Sequence, residues 1–323
     1  MRCLVTGVAG FVGSHLAEHL LAGGHDVCGI DAFIDYYPRR IKEENLAHAQ
    51  SYRRFTFIEG DVLHINLAPF LEGTDWVFHQ AAQPGVRASW GQEFSRYLDC
   101  NVLATQRLLE AVLHGGGVRR FVYASSSSVY GETSILPVSE TVTPRPVSPY
   151  GVTKLAAEHL CYLYHRNFGL PTVALRYFTV YGPRQRPDMA FHRFCSAVLA
   201  RQPIRVYDDG GQTRDFTYIS DVVEANMRAA TAAGAIGEVI NIAGGSRVTL
   251  SAVIELLREI AGHAVDVTFE QKQHGDVRHT FADIACAQQL LGYSPLVPLR
   301  EGLADEFEYI KTLQKYTQVT AAI

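Results

Sequence analysis

At 323 residues and 35.7 kDa the chain has room for one large α/β domain or for a nucleotide-binding domain with a smaller partner, because single cores tend to divide beyond about 250 residues. Hydrophobic residues at 47% against 19% charged exclude extended disorder, and a formal net charge of -4 gives no electrostatic reason to expect nucleic acid or an anionic membrane as partner. The opening Met1-Arg2-Cys3-Leu4-Val5-Thr6 is too short an apolar run for a signal peptide, no transmembrane span follows, and the six dispersed cysteines form no CxxC pair; the expectation is a cytoplasmic protein with reduced core thiols.

Short apolar runs alternate with helical segments up to about residue 176. Candidate strands are Cys3-Val5, Asp26-Ile30, Thr56-Glu59, Trp76-His79, Arg120-Ala124 and Thr172-Leu175. Several are near-continuously apolar, as parallel strands covered on both faces must be. The fold expected is α/β: a Rossmann-type doubly wound parallel sheet with a smaller carboxyl-terminal substrate-binding domain. Residues 1-178 would form the Rossmann part, with 214-243 returning to it through a strand at Val239-Ala243. Residues 179-213 and 244-323 would form the second part, with helices near Phe191-Ala200, Ser251-Ala261 and Leu299-Lys311.

Gly7-Val8-Ala9-Gly10-Phe11-Val12-Gly13 follows the first strand and opens the helix Ser14-Leu21. Its glycines permit a tight turn, close approach of backbone N–H groups to a pyrophosphate, and helix–strand contact. The next strand ends at Asp31, 18 residues after Gly13, where a carboxylate can accept hydrogen bonds from both ribose hydroxyls and would repel a 2′-phosphate. NAD is favoured over NADP, although Arg39, Arg40 and Lys42 could neutralise such a phosphate. Asp61 sits where an adenine amino group could bind, and equally where a strand-end turn needs an acid.

In Ser148-Pro149-Tyr150-Gly151-Val152-Thr153-Lys154, Ser148 suits a helix N-cap and Pro149 the first turn, so Tyr150 and Lys154 share one helix face. The YxxxK pattern is common by chance. Here, however, the strand just upstream releases Ser125-Ser126-Ser127-Ser128 at its carboxyl end, where open α/β sheets bind ligands. A free tyrosine ionises near pH 10. One cation at about 4 Å in an effective dielectric of about 20 contributes roughly 4 kcal/mol before desolvation, enough to make the phenol a base with help from an oxidised nicotinamide.

Together these motifs resemble the extended short-chain dehydrogenase/reductase family, specifically its NAD-dependent nucleotide-sugar epimerases and dehydratases, over essentially the whole chain. Arg176-Tyr177-Phe178, Tyr181-Gly182-Pro183 and Arg214-Asp215-Phe216 follow in the family's order. The resemblance implies catalysis by Tyr150, Lys154 and Ser126. It implies NAD, tightly bound and not consumed, against Gly7, Gly10, Phe11, Val12, Gly13, Asp31, Asp61, Val62, Gln80, Ala81, Ala82, Tyr150, Lys154 and Tyr177. It also implies a UDP-sugar substrate and a homodimer formed through helices near Asn101-His114 and Tyr150-Phe168.

The family's 4,6-dehydratases usually carry an Asp-Glu pair where this chain has Ser127 and Ser128, and its UDP-glucuronate decarboxylases a glutamate at Ser128. Without either carboxylate, return of the hydride is favoured, which is epimerisation. Thr179 in place of asparagine, the run Ala81-Ala82-Gln83-Pro84-Gly85-Val86-Arg87 and the run from Tyr181 to Ala190 are similar to UDP-glucuronate 4-epimerases. A sugar carboxylate wants charge-assisted donors, for which Arg87, Arg186, Ser127, Ser128 and Thr179 are the candidates. By resemblance Arg214 and Arg278, with Arg193, would hold the UDP diphosphate. A decarboxylase, an epimerase of a neutral UDP-hexose and a non-catalytic NAD sensor are the alternatives.

No metal site is expected: His15 and His19 have a ligand spacing on the first helix without a third ligand, and read as solvated positions. Trp76 and Trp90 read as packing residues and His79 as a core histidine.

Overall fold

Six strands, β1 (Arg2–Thr6), β2 (Asp26–Asp31), β3 (Phe55–Glu59), β4 (Trp76–His79), β5 (Arg120–Ser126) and β6 (Thr172–Tyr177), join with Val239–Ile242 in one sheet. The order across it is β3-β2-β1-β4-β5-β6 and then Val239–Ile242, every pairing parallel. This is the doubly wound arrangement expected from the strand pattern. The structure, a computed structural model, describes the backbone of residues 1–321 and the side chains of residues 1–314.

The two-residue period of a strand sends alternate side chains to opposite faces. Cys3 and Val5 of β1 join Phe78 and Val122 beneath Leu16 and Leu20 of helix α1 (Phe11–Ala22) and Val222 of the helix Ile219–Thr231. Leu4 points the other way, with Val77, Phe121 and Tyr123, against Leu108 and Leu109 of the helix Ala104–Gly115 and Ala157 and Cys161 of the helix Pro149–Phe168. Both faces are covered, which is why these strands read as near-continuous apolar runs. A third apolar cluster gathers Phe191, Phe194, Val253, Leu257, Leu303 and Phe307 from three later helices, Ala190–Leu199, Leu250–Ala261 and Leu299–Ala321, against Val206 of the parallel pair Ile204–Tyr207 and Val267–Glu270.

The strand order reverses between β1 and β4, so the loops leaving β1 and β4 diverge and leave a crevice at their carboxyl ends. The serine run is partly strand, since β5 continues to Ser126 before one turn of 3-10 helix over Ser127–Val129.

Three expectations need correction. Trp90 is not a packing residue but stands 46% exposed, whereas Trp76 is buried. The helix expected from Asn101 begins as a π-helical segment, Leu98–Leu103, before turning α-helical. His15 is not solvated: its Nε2 lies 2.9 Å from the Pro183 carbonyl, while His19 remains exposed. Among the described residues no group of His, Cys, Asp and Glu could hold a metal ion, and no helix is long and apolar enough to cross a membrane.

Candidate active site

One cavity of about 440 Å³ runs along the carboxyl ends of the strands. At its cofactor end, Gly7 takes φ +69, and a Cβ there would meet Ala81 N at 2.7 Å; a Cβ on Gly13 would meet Gly7 O at 2.1 Å. The loop is thus pressed against both β4's exit and the first turn of α1. Gly10 caps α1 without a side-chain acceptor, so the first-turn N–H groups keep their donors for another partner, and Gly10 to Gly13 line the cavity. An anion fits there.

Asp31 accepts from Ala9 N at 3.0 Å and Phe33 N at 2.9 Å, and its carboxylate lines the same cavity. Burial raises its pKa, opposed by the Phe33 and Ala9 N–H groups and by Lys42. Two oxygens held by backbone still present lone pairs to a diol. Arg39 is spent on Glu59 and Glu43, and Arg40 on Glu44, so neither stands free for a 2′-phosphate. Asp61 is at once a turn residue, accepting from Leu63 N at 2.9 Å, and a wall of the cavity beside Val62. Gln80 and Tyr177 meet on Asn226, at 3.1 and 3.0 Å, and they line the cavity with Ala81 and Ala82. The residues present therefore suit a dinucleotide with free ribose hydroxyls.

Tyr150 and Lys154 line the same cavity. The Ser148 hydroxyl accepts from Gly151 N at 3.1 Å, an N-cap that starts the helix Pro149–Phe168 and aims both side chains at the cavity. Burial raises the Tyr150 pKa, while the neighbouring Ser126 hydroxyl and the Arg186 guanidinium pull it down. Lys154 lines the cavity with Tyr150; its ammonium lies 4.5 Å from the centre of the Tyr123 ring, and burial lowers it from 10.5 to about 7.

Ser127, Ser128, Thr179 and Arg186 line this cavity as well. The other four arginines do not line it. Arg87 and Arg193 flank the Tyr207 ring, at 4.1 and 5.6 Å, and Arg87 pairs with Asp276 at 2.6 Å. Arg214 donates to the carbonyls of Thr213 and Arg278, and the Arg278 side chain pairs with Asp208 and Asp209. Two of the four thus share one aromatic ring, and Arg214 and Arg278 touch each other through a carbonyl. Sequence reasoning passed over Tyr36 and Tyr37, which line the cavity; Lys42, named only against a 2′-phosphate, and Met189, named only within its run, line it as well, and Asp188 of the same run holds Arg186. The tandem tyrosines five residues after Asp31 were the available signal.

The description "NAD dependent epimerase/dehydratase family" fits residues 3–243 of this chain. The chain belongs to that family. Among its members, the uncharacterized UDP-glucose epimerase YtcB of Bacillus subtilis (strain 168) is 48% identical over 314 residues, covering 97% of this chain and 99% of that one. The UDP-glucuronate 4-epimerase of Thermodesulfobacterium geofontis (strain OPF15) is 37% identical, with 93% of each chain covered. In the crystal, the UDP-glucuronic acid 4-epimerase of Bacillus cereus, in complex with UDP-glucuronic acid and NAD, superposes with a TM-score of 0.94 at 48% identity, covering 97% of this chain and 100% of that one.

Proposed function

We propose that this family member interconverts UDP-glucuronate and UDP-galacturonate by NAD-dependent 4-epimerisation. The observation that carries the reading is one wall of the cavity. There the phenol of Tyr150 stands with the hydroxyls of Ser126, Ser127, Ser128 and Thr179 and the guanidinium of Arg186, and the serine turn offers no carboxylate. The likeness to two UDP-glucuronate 4-epimerases supports the choice of sugar.

Tyr150, as phenolate, takes the proton of the C4 hydroxyl, with Ser126 holding that oxygen or relaying the proton. NAD, when bound, supplies the acceptor for the C4 hydride and returns it. The 4-keto sugar turns about its bonds to the diphosphate, presents its other face, and Tyr150 gives the proton back. Arg214 and Arg278, with Arg193 assisting, hold the diphosphate while the sugar turns.

A 4-keto uronate is a β-keto acid. It loses carbon dioxide when the C5–C6 bond stands perpendicular to the carbonyl plane. Charge-assisted hydrogen bonds from Arg186, with Ser127, Ser128 and Thr179, hold the carboxylate out of that geometry.

Comparing kcat/KM for UDP-glucuronate and UDP-glucose tests the choice of substrate. A preference of at least tenfold for the uronate is expected; equal or reversed values would move the reading to a neutral UDP-hexose.

We further propose a cytoplasmic homodimer. Leu103, Tyr162, Leu163 and Phe168 stand 47 to 56% exposed on the two helices expected to pair, more apolar surface than a solvated pair of helices needs. The six cysteines are free, four of them buried, as in a reducing compartment.

A further inference from the structure

Arg186 does not enter the cavity as a free cation. Its Nε donates to Asp188 Oδ1 and its Nη2 to Asp188 Oδ2, both at 3.0 Å. A guanidinium has a side edge, Nε with Nη2, and an end edge, Nη1 with the second hydrogen of Nη2. Asp188 occupies the side edge and leaves the end edge for a ligand. Behind Asp188 stands Tyr36, whose hydroxyl donates to Asp188 Oδ2 over 3.3 Å from a position 152 residues earlier.

Tyr36 is itself confined. Its hydroxyl lies 2.4 Å from where a Cβ on Gly85 would be, so a side chain at that position would displace it. It sits on the loop between Asp31 and the helix Arg39–Gln50, the loop that leaves the cofactor end of the cavity. A continuous chain of contacts therefore runs from the segment after Asp31, through Tyr36 and Asp188, to the guanidinium facing the sugar end.

We propose that Asp188 and Tyr36 are positioning residues that aim the end edge of Arg186 at the substrate carboxylate, and so decide whether the 4-keto intermediate keeps its carbon dioxide. The inference rests on the reading of the substrate as a UDP-uronate. One guanidinium then serves two carboxylates, one from the protein and one from the sugar. Asp188 spends part of the positive charge on geometry, and the three hydroxyls supply the remaining donors. When the aim is lost, the C5–C6 bond is free to turn perpendicular to the carbonyl plane. It breaks with its electron pair left at C5 as the enolate of the C4 ketone, carbon dioxide departs, and C5 takes a proton from water. The product is a UDP-4-keto-pentose, with the hydride still on the cofactor.

The test uses the purified holoenzyme and the variants Asp188→Asn, Tyr36→Phe and Arg186→Ala. Three quantities are read: the KM for UDP-glucuronate, the dissociation constant of UDP alone, and the ratio of released carbon dioxide to epimer. Asp188→Asn and Tyr36→Phe are expected to raise the KM for UDP-glucuronate roughly 3- to 10-fold, the size of one lost hydrogen bond. They should raise carbon dioxide release at least severalfold and leave UDP binding unchanged. If both variants keep the wild-type KM and product ratio while Arg186→Ala loses them, the positioning role is overturned and the uronate reading stands. A parallel loss of UDP affinity in both variants marks a merely structural role and also overturns it. If Arg186→Ala itself handles UDP-glucuronate as the wild type does, the carboxylate site is misplaced and the proposal falls with the reading beneath it.

Discussion

The Ser125 hydroxyl donates to Glu158 Oε2 over 2.6 Å, tying the end of β5 to the helix that carries Tyr150 and Lys154. Glu158 also receives Nε and Nη2 of Arg176 from β6, at 3.0 and 2.6 Å, and the side chains of this pair are only 3% and 5% exposed. Arg176 continues the chain to the Tyr130 hydroxyl at 2.7 Å, and that hydroxyl donates to Asn241 on the last strand of the sheet at 2.7 Å. The serine turn, the catalytic helix and two neighbouring strands are thus locked by one buried polar network.

Breaking that network has a predictable cost. Glu158→Ala leaves the Arg176 charge buried and unpaired, a loss of about 3–5 kcal/mol, read as a lower denaturant midpoint. Glu158→Gln keeps the shape and should cost less. A stability equal to wild type in Glu158→Ala would show that water reaches Arg176.

Tyr150→Phe removes the group that moves the proton and nothing that holds the cofactor loop. Turnover should fall by roughly 10² to 10⁴-fold, with cofactor content after purification unchanged. Loss of the cofactor together with activity would assign Tyr150 to binding instead of chemistry.

The acidic limb of the pH–rate profile reports the ionisation of Tyr150. Burial raises that pKa and the Ser126 hydroxyl lowers it, so Ser126→Ala removes a lowering influence and the limb should move to higher pH. Arg186→Gln should move it the same way, because the guanidinium also lowers the phenol. A limb that stays in place in both variants would mean that another group titrates.

His79 is fully buried between Thr6 and Thr105, at 2.7 and 2.9 Å. Thr105 gives its own proton to the Asn101 carbonyl, so it accepts from His79 Nε2 and the ring accepts from Thr6 at Nδ1: the neutral tautomer. Burial, with Lys154 nearby, lowers His79 from 6.5 to about 3. Burial, with Arg184 nearby, lowers His15 from 6.5 to about 4. Below pH 6.5 the unfolded chain binds protons that the folded protein refuses, so stability falls with pH until about 4 for His15 and about 3 for His79. Urea midpoints between pH 7 and 4 should decline less steeply in His15→Gln than in wild type. An identical slope would show that His15 is protonated in the folded protein.

Much of this was open to reading along the chain. Strands such as Trp76–His79 are apolar on both faces, so their composition alone distinguishes them from half-exposed strands. The N-cap at Ser148 and the glycine loop act within a few residues and leave a local pattern. What stayed hidden depends on partners far apart in sequence. Nothing near Asp188 announces Tyr36, and nothing near His15 announces Pro183, 168 positions later. The ammonium of Lys154 rests on Tyr123 because burial and a ring face from β5 reach it, and helical spacing from Tyr150 carries no information about that neighbour. Trp90 was misjudged because an aromatic side chain in a loop has no periodic pattern to show which way it points.

The most direct test is to incubate the purified protein with UDP-glucuronate, add no NAD, and identify the nucleotide sugars by NMR as the reaction reaches equilibrium. The account predicts UDP-galacturonate with little pentose product, because the hydride returns from a retained cofactor and the carboxylate is held by Arg186 and the hydroxyls around it. A UDP-pentose as the main product, or UDP-glucuronate left unchanged both without and with added NAD, would contradict it.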